Sequence, residues 1–402
     1  MKNKVVALVG GIILPSMVSF SLSAQEAQVR APDEPAVRVR TPVQLPNPPG
    51  WITLKCDFHL HTVFSDGLVW PTVRVEEAWR HGLDAIAITD HIEYQRFRED
   101  INTNRNRAYE IARALGEELG ILVIPGGEVT REMPPGHINA IFLTNANALA
   151  VPDWFEALQI ARDQGAFIFW NHPGHSWQLT DGKIRWHPEH TRLYAAGLLH
   201  GIEIVNHREY YPEAHRWAED KQLTLFGDSD NHNPIPLDYY AHPRDLRPMT
   251  LVFVRERTLD GIKEALFARR TAVLWAGRLL GDARFLRPLF EGAIQVFNTS
   301  ATVTGHGRAC LQLYNNSSVD FVLERMKNPA DLHIPRQLTL PAQRTVLLPV
   351  TGRGQPPAGT RQVRLQYRAR NLLPAPDEPL PVELVASIRF VPAGGNGRGD
   401  TP

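Results

Sequence analysis

Two histidines, His59 and His61, stand two residues apart at the end of a short apolar run. The preceding residues 52–56 are predicted to form a β-strand, and side chains two apart on a strand point to the same face. Asp66 follows in the next loop, where Gly67 would let the backbone turn. Two imidazoles and a nearby carboxylate are typical ligands of divalent metals. The spacing alone would also fit a chance pair at a strand end, so the other strands must decide.

Further residues that can bind metals stand at the ends of other predicted strands. They are His91, Glu128, His137, His172, Asp230 and His232, of which His137 precedes its strand. Each one alone would fit a turn former or an ordinary polar residue at a strand end. The parallel strands of an α/β barrel bring the residues at their carboxyl ends to one edge. The recurrence of these residue types on several strands therefore predicts a metal centre at that edge.

The region that carries these residues, 51–288, combines short apolar runs with helical patterns. Strands are predicted at residues 52–56, 84–89, 121–124, 138–143, 166–170, 201–205, 223–226 and 250–254. Between them apolar residues recur at helical spacing, with Pro71 in a first helical turn and Gly120 at a helix end. Apolar strands that alternate with helices are typical of a parallel sheet, covered on both faces or closed into a barrel. The region is therefore predicted to be an α/β domain.

The pattern changes in residues 289–393, where the helical periodicity fades. Runs rich in β-forming residues occupy 293–297, 309–313, 320–323, 345–350, 362–367 and 382–390, and clusters of turn residues separate them. Short strands at this density are typical of an all-β sandwich. The glycine-rich tail, 394–402, is predicted to be disordered.

Residues 1–24 have the features of an export signal peptide. Two lysines precede an apolar run at 5–22, and small residues follow it. An uncleaved membrane anchor is the alternative, because the run is close to the roughly 20 residues that span a bilayer. Residues 25–50 are rich in proline and are predicted to be an extended segment. These features predict a periplasmic or secreted protein without stable membrane insertion after signal cleavage.

Taken in order, the motifs of this chain resemble those of the PHP (polymerase and histidinol phosphatase) family. The matching stretches are residues 57–62, 65–67, 89–91, 127–128, 172–173 and 229–232. The resemblance covers roughly residues 53–275 and implies a distorted (β/α)7 PHP barrel that binds two or three divalent metals and hydrolyses phosphate esters. The export signal and the appended β-domain are most similar to the secreted phosphodiesterases of the Sb-PDE type.

The resemblance also implies how the ligands are shared. One metal would bind His59, His61, Glu128 and Asp230, a second would share Glu128 with His137 and His172, and a third would bind Asp66, His91 and His232. Some family members have histidine where this chain has Asp66. An oxygen ligand at that position leaves open the occupancy of the third site and the choice among Mn, Zn and Fe.

The catalytic roles follow from these ligand types. Metals held by imidazoles and carboxylates can lower the pKa of a bridging water, so that hydroxide attacks phosphorus. Glu128 and Asp230 would hold those metals, and His175 would donate a proton to the leaving oxygen unless it is an ordinary loop histidine. Arg208, beyond the sixth strand, is the first choice for a phosphate contact, although a surface arginine would give the same pattern.

Two other carboxylates near the strand ends, Asp90 and Glu203, are interpreted as supporting residues and not as metal ligands. Asp90 fits either a partner that orients a histidine ligand or the N-cap of a helix. Glu203 lies on the predicted sixth strand and fits a buried structural carboxylate.

Together these patterns predict an exported metal-dependent phosphodiesterase that acts on a small-molecule phosphate ester. Phosphomonoester hydrolysis is the alternative within the family. A non-catalytic metal- or glycan-binding protein, in which the β-domain does the binding, is the alternative from a different class. The formal net charge is zero, so a nucleic-acid partner is not expected.

Overall fold

A computed structural model describes residues 39–179, 181–239, 245–297 and 301–393. The predicted signal peptide, the first part of the proline-rich segment and the tail 394–402 lie outside the described residues. Among the helices of the described part, none is long and apolar enough to cross a lipid bilayer.

The N-terminal part of the described chain alternates strands and helices. Its strands are β1 (Ile52–Asp57), β2 (Ala85–Ile88), β3 (Leu122–Val129), β4 (Ile138–Ile141), β5 (Phe167–Trp170), β6 (Gly201–Asn206), β7 (Glu209–Tyr210), β8 (Thr224–Asp228), β9 (Met249–Val254), β10 (Thr271–Trp275) and β11 (Arg278–Leu280). Its helices are α1 (Pro71–Arg80), α2 (Arg107–Leu119), α3 (Trp154–Asp163), α4 (Pro188–Ala195), α5 (Pro212–Asp220), α6 (Ile235–Asp238), α7 (Leu259–Phe267) and α8 (Ala283–Ala293), with a 3-10 helix at Ala146–Leu149.

The residues predicted to begin and end helices lie at those positions in the structure. Pro71 opens α1, and Gly120 closes α2 in the left-handed conformation, with φ of 70°. The strands β2, β4, β5, β6, β8 and β9 are buried along their whole length, which explains their continuous apolar character. All the strands predicted in this region are present, and the α/β prediction is confirmed.

The main sheet is mixed rather than parallel, which corrects one expectation. Strands β1, β2 and β3 are parallel, as are β5, β6 and β8, but β4 runs antiparallel to both β3 and β5. Only residues 130–137 link β3 to β4, and a parallel crossover needs about a dozen residues or more. The antiparallel direction brings His137, which precedes β4, to the edge where its neighbours end.

The sheet curls until its two sides meet. Strand β6 pairs with β8, and a parallel bridge joins Leu60, after β1, to Asn231, after β8. A second parallel bridge joins His91 to Glu128. The segments after β1, β2 and β8 and the end of β3 therefore surround one edge of the curled sheet.

The C-terminal part is a sandwich of two sheets. Its strands are β12 (Ile294–Val296), β13 (Ala301–Thr304), β14 (Arg308–Asn315), β15 (Phe321–Arg325), β16 (Leu332–His333), β17 (Gln337–Leu340), β18 (Thr345–Gly352), β19 (Gly359–Ala369), β20 (Leu372–Leu373) and β21 (Leu380–Val391). One sheet has the order β12-β14-β18-β16, and the other has the order β13-β21-β19-β15-β17. Buried and outward-facing residues alternate along β21, as expected for a strand with one face on a core. The all-β sandwich prediction is confirmed.

The sandwich and the barrel are joined by strand pairing and side-chain contacts as well as by the connecting chain. Strand β20 leaves the sandwich and pairs in parallel with β11 of the barrel. Asn371 donates from Nδ2 to the carbonyl oxygen of Gly277 at 2.7 Å, and the rings of Phe290 and Phe321 are 5.1 Å apart. The domain boundary expected between residues 288 and 289 falls inside α8. The two parts therefore share one core.

The described part of the proline-rich segment, residues 39–50, contains neither helix nor strand and packs against both parts. Val43 is buried, and the Thr41 amide donates to the carbonyl oxygen of Arg80 at 2.7 Å. The Gln44 amide donates to the Ser318 hydroxyl at 2.9 Å. This stretch therefore lies on the folded surface, in contact with both the barrel and the sandwich.

Candidate metal centre

Four of the predicted ligands meet at the curled edge of the sheet. The Nε2 atoms of His59 and His61 are 3.1 Å apart, and Asp230 Oδ1 lies 3.2 Å and 3.1 Å from them. Glu128 places Oε1 at 3.4 Å from His59 Nε2 and Oε2 at 3.6 Å from His61 Nε2. Ligands about 2.1 Å from a tetrahedral zinc ion would lie about 3.4 Å from one another. His59, His61 and Glu128 thus have the separations of ligands around one cation, and Asp230 forms another such group with His59 and His172.

A second group forms on the other side of Glu128. Its Oε1 atom is 3.1 Å from His137 Nδ1 and 3.6 Å from His172 Nε2. His172 Nε2 also lies 3.8 Å from Asp230 Oδ2. The carboxylates of Glu128 and Asp230 therefore stand between the first group and the second.

A third group surrounds Asp66. Its Oδ1 atom is 3.2 Å from His232 Nε2, 3.5 Å from His91 Nε2 and 4.0 Å from His61 Nδ1. The other ring nitrogen of His91, Nδ1, lies 2.6 Å from Glu128 Oε2, so this histidine connects the third group to the first two. All the predicted ligands are brought together in overlapping clusters, and their division among individual metals stays a prediction.

The hydrogen bonds around the histidines show that the cluster suits a cation. His59 donates from Nδ1 to Glu203 Oε1 at 2.8 Å, because an ionised carboxylate can only accept. His232 likewise donates from Nδ1 to the carbonyl oxygen of Asp230 at 2.9 Å. In the neutral form, each ring then presents an Nε2 lone pair to the cluster, as a metal-binding imidazole must.

Glu203 is the residue whose role the sequence did not reveal. It is fully buried on β6, where it fits the expected structural carboxylate, but it also positions ligands. Besides holding His59, it accepts from the His172 amide at 2.7 Å and from Asn206 Nδ2 at 2.9 Å. The available signal was a charged side chain inside an otherwise apolar strand.

Asp90 caps no helix and contacts no ligand ring directly. It accepts from the amide of Thr62 at 2.6 Å, from its hydroxyl at 2.7 Å and from the Ser65 hydroxyl at 2.7 Å. Ser65 in turn lies 3.3 Å from His61 Nδ1. Asp90 therefore shapes the loop after β1 and acts on the ligand His61 only through Ser65. The N-cap interpretation is wrong, and the orienting role stays a prediction.

Gly67 is needed in the same loop for close approach rather than for freedom to turn. A Cβ atom at this position would lie 2.6 Å from the backbone carbonyl carbon of His61. A larger residue would push the loop away from the ligand pair.

A buried arginine on α1 ties the two ligand-bearing loops together. Arg74 donates to the carbonyl oxygens of His61 at 2.8 Å, Asn231 at 2.7 Å and Asn233 at 2.8 Å. Its charge is balanced by Glu77 at 2.8 Å. Arg74 thus sets the spacing between the loop after β1 and the loop after β8.

The cluster keeps its carboxylates charged despite burial. Burial alone would raise the pKa of Glu128, but His137, His91 and His59 hold that pKa well below its usual range. Asp230 shows the same balance, with His59 and His61 lowering its pKa. Burial, with His232 and His91 nearby, lowers the pKa of His61 to about 3, which keeps that ring neutral. Charged carboxylates and a neutral imidazole are the forms that bind metals.

Backbone conformation marks two of these residues as well. His172 and Asp230 have φ of 27° and 50°, in the left-handed region that non-glycine residues rarely adopt. Such conformations persist where the surrounding structure enforces them, and they concentrate at functional sites.

The cluster opens into a cavity of about 1290 Å³, which His175, Arg208 and the fully accessible Trp177 also line. Burial and the neighbouring His172 lower the pKa of His175. The Arg208 guanidinium is paired with Asp245, at 2.9 Å from Nη1 to Oδ1. A phosphate contact by Arg208 would therefore have to compete with this carboxylate, which the sequence could not show.

Known proteins match both parts of the chain. The Ig-like domain family matches residues 294–385. A solved structure from Bacteroides vulgatus, a two-domain protein containing a predicted PHP-like metal-dependent phosphoesterase, is 42% identical with a TM-score of 0.80. The match covers 86% of this chain and 98% of that one. An uncharacterised protein of Methanocaldococcus jannaschii is 38% identical over 85 residues, which are 21% of this chain and 37% of the archaeal one.

The curled α/β sheet, the clustered histidines and carboxylates, and this likeness along nearly the whole Bacteroides protein define one class. The chain belongs to the family of PHP-like metal-dependent phosphoesterases, in the two-domain form that carries a C-terminal Ig-like domain. The family and the fold inferred from the motifs are therefore confirmed.

Proposed function

We propose that this protein hydrolyses phosphodiesters with two or three divalent metals, Mn, Zn or Fe, bound at the curled edge of its barrel. The observation that carries the proposal is that the Nε2 atoms of His59 and His61 lie 3.1 Å apart and 3.1–3.6 Å from carboxylate oxygens of Glu128 and Asp230. Such separations suit ligands around a cation, and Glu128 and Asp230 line a cavity large enough for a small ester.

The protein's own residues prepare the site in distinct ways. Metals bound there would supply an activated water and would neutralise charge on the phosphoryl oxygens. Glu128 lies between the groups and can serve two cations at once. Glu203 fixes the tautomer and direction of His59, and the neutral His175 can donate a hydrogen bond to the leaving oxygen.

The charges of the cavity favour a diester over a monoester. A monoester dianion usually meets several guanidinium or ammonium groups. Among the described residues that line the cavity, Arg131 is paired with Glu93 and Arg208 with Asp245. The same lining contains the acidic residues Glu132, Glu209 and Asp238. A singly charged diester needs less compensation, so it fits this surface better.

Elemental analysis and a panel of chromogenic esters on one preparation, purified without chelator, test the proposal. We expect two to three divalent metals per chain and a kcat/KM for diesters above that for monoesters. A monoester preference of tenfold or more would replace the diester reading and leave the metal site standing. Metal at full occupancy without hydrolysis of either ester class would favour a metal- or glycan-binding protein instead.

We further propose that the protein is exported to the periplasm or beyond. The support is the sequence of residues 1–24, in which lysines precede an apolar run and small residues follow. Cell fractionation with N-terminal sequencing of the mature chain tests this. A cytoplasmic protein that retains residues 1–24 would contradict it.

A further inference from the structure

One histidine that lines the cavity, His207, belongs to none of the three metal-binding groups, and the sequence predicts no role for it. His207 lines the same cavity as Asp230, His232 and His175. Its Nδ1 atom is 2.8 Å from the hydroxyl of Tyr239, which is 2% exposed. Tyr239 is not among the residues that line the cavity, so the ring edge left for the cavity is the one that carries Nε2. Within the described residues, Nε2 has no hydrogen-bond partner.

The direction of the hydrogen bond between His207 and Tyr239 follows from burial. Burial, with Asp57 nearby, raises the pKa of Tyr239, so its hydroxyl keeps its proton. Within the described residues that proton has one acceptor, His207 Nδ1, and a buried hydroxyl without an acceptor is costly. Tyr239 therefore donates, Nδ1 accepts, and the neutral ring carries its own proton on Nε2.

Histidine is an unusual residue type for the backbone conformation at position 207. His207 and Arg208 form the two-residue loop between β6 and β7, which pair from Asn206 to Glu209. The φ of His207 is 52°, in the left-handed region where glycine or asparagine is favoured in such loops. A histidine in this position departs from the local preference, as is typical of residues kept for a site.

We infer that His207 is a substrate-binding residue whose Nε2–H donates a hydrogen bond to a non-bridging or ester oxygen of a singly charged phosphodiester, and that Tyr239 holds it in this tautomer. The inference rests on the proposed phosphodiesterase function. It adds that part of the phosphate recognition is made by a neutral donor. A neutral donor suits a monoanion, whereas a dianionic monoester would gain more from a full positive charge.

A second tyrosine–histidine pair provides a matched control. The Tyr210 hydroxyl lies 2.9 Å from Nδ1 of His215, which is fully buried. Neither residue lines the cavity. Tyr210→Phe removes the same kind of hydrogen bond outside the site.

The experiment measures His207→Gly, Tyr239→Phe, the double variant and Tyr210→Phe in the full chain. Glycine suits the left-handed φ, so His207→Gly should fold and retain its metals by elemental analysis. We expect kcat/KM for a chromogenic diester to fall about tenfold or more in His207→Gly and about threefold in Tyr239→Phe. Because Tyr239 acts through His207, Tyr239→Phe should cause no further loss in the His207→Gly background. Tyr210→Phe should match the wild type.

A readout independent of turnover is the tautomer of His207 in metal-free protein. Nitrogen NMR of ¹⁵N-histidine-labelled protein, with His207 assigned by its absence in His207→Gly, should show the proton on Nε2. Tyr239→Phe should shift that population, and Tyr210→Phe should not.

The outcomes separate the two claims. A wild type that is metal-loaded but hydrolyses neither ester overturns the proposed function and the substrate role of His207 with it. An active wild type with unchanged kcat/KM in His207→Gly overturns this inference and leaves the function standing. A proton on Nδ1 of His207, or additive losses in the double variant, would overturn the role of Tyr239.

Discussion

The curled edge of the barrel and the Ig-like sandwich follow opposite rules of burial. In the sandwich, β21 and the second half of β19 alternate buried apolar residues with outward-facing ones. At the barrel edge, His59, His61 and Glu128 are fully buried and surrounded by other polar groups. Burying such groups is unfavourable unless each finds a partner, so the edge depends on pairing where the sandwich depends on packing. The barrel edge is therefore arranged for chemistry and the sandwich for stability.

The two regions are nevertheless not independent. Strand β20 completes the barrel sheet next to β11, and α8 contributes to the core beneath both. The region organised for stability therefore supports the one organised for chemistry.

The largest effect should come from removing the sandwich. A chain that ends after residue 288 is cut inside α8 and lacks β20, so we expect no soluble folded protein. A chain that ends after residue 393 retains all the described strands and helices and serves as the control. Expression, circular dichroism and metal content of both chains test this. A truncated chain that is folded and metal-loaded would show that the two parts are separable after all.

The next effect should come from Glu128. Glu128→Ala removes the carboxylate that lies between the groups, so the cations that it shares would repel each other and one should be lost. We expect a loss of metal together with a loss of at least ~100-fold in activity. Replacing a residue that only hydrogen-bonds a metal ligand can already cost about that much. Elemental analysis and kcat/KM measure both. Full metal content with near-native turnover would contradict the assignment of Glu128.

A sandwich variant provides the contrast for Glu128→Ala. Leu365 on β19 is fully buried, and Leu365→Ala should lower the free energy of unfolding by about 2–5 kcal/mol. The folded fraction should keep its metals and its kcat/KM. If Leu365→Ala instead reduced metal content per folded molecule, the division between packing and chemistry would not hold.

A smaller effect is expected at Arg74. Arg74→Lys keeps the charge but cannot reach three carbonyl oxygens with one rigid fork, so the loops after β1 and β8 should drift apart. We expect the metal affinity of the group around Asp66 and His232 to fall roughly tenfold, with the other metals retained. Arg80→Lys, on the exposed side of α1, is the control. Competitive chelation of each variant measures the change, and equal affinities would remove Arg74 from the positioning role.

The smallest effect is a pH dependence that distinguishes the metal-free from the metal-loaded protein. Burial alone would lower the pKa of His232, but Asp66 and Asp230 raise it to about 9. The folded pKa lies above the ordinary value of about 6.5, so this stabilisation is complete below about pH 6.5 and is lost towards pH 9. Metal binding must displace that proton, so it should tighten over the same range.

Thermal unfolding of the metal-free and metal-loaded protein between pH 6.5 and 9 tests whether their Tm values change with pH in opposite directions. We expect the Tm of the metal-free protein to fall and that of the metal-loaded protein, at limiting metal, to rise. Parallel slopes would show that His232 does not compete between a proton and a metal.

Most strands of the barrel and the residue types at their ends could be predicted from local sequence patterns, whereas β7, β10 and β11 were not predicted. Apolar runs four to eight residues long predict buried strands, and His59, His61, His91 and Asp230 follow such runs directly. These are local properties, because both the burial of a strand and the residue that follows it can be recognised from neighbouring residues in the sequence. The all-β sandwich could be predicted for the same reason, from the density of its short strands.

How those residues come together depends on the tertiary fold. The antiparallel direction of β4 brings His137 to the edge, Glu203 turns His59 towards the cluster, and Asp245 engages Arg208. Each of these contacts joins residues far apart or depends on strand direction, which local patterns do not encode. The shared core of barrel and sandwich has the same origin, because the pairing of β20 with β11 is a long-range contact between two strands of two and three residues.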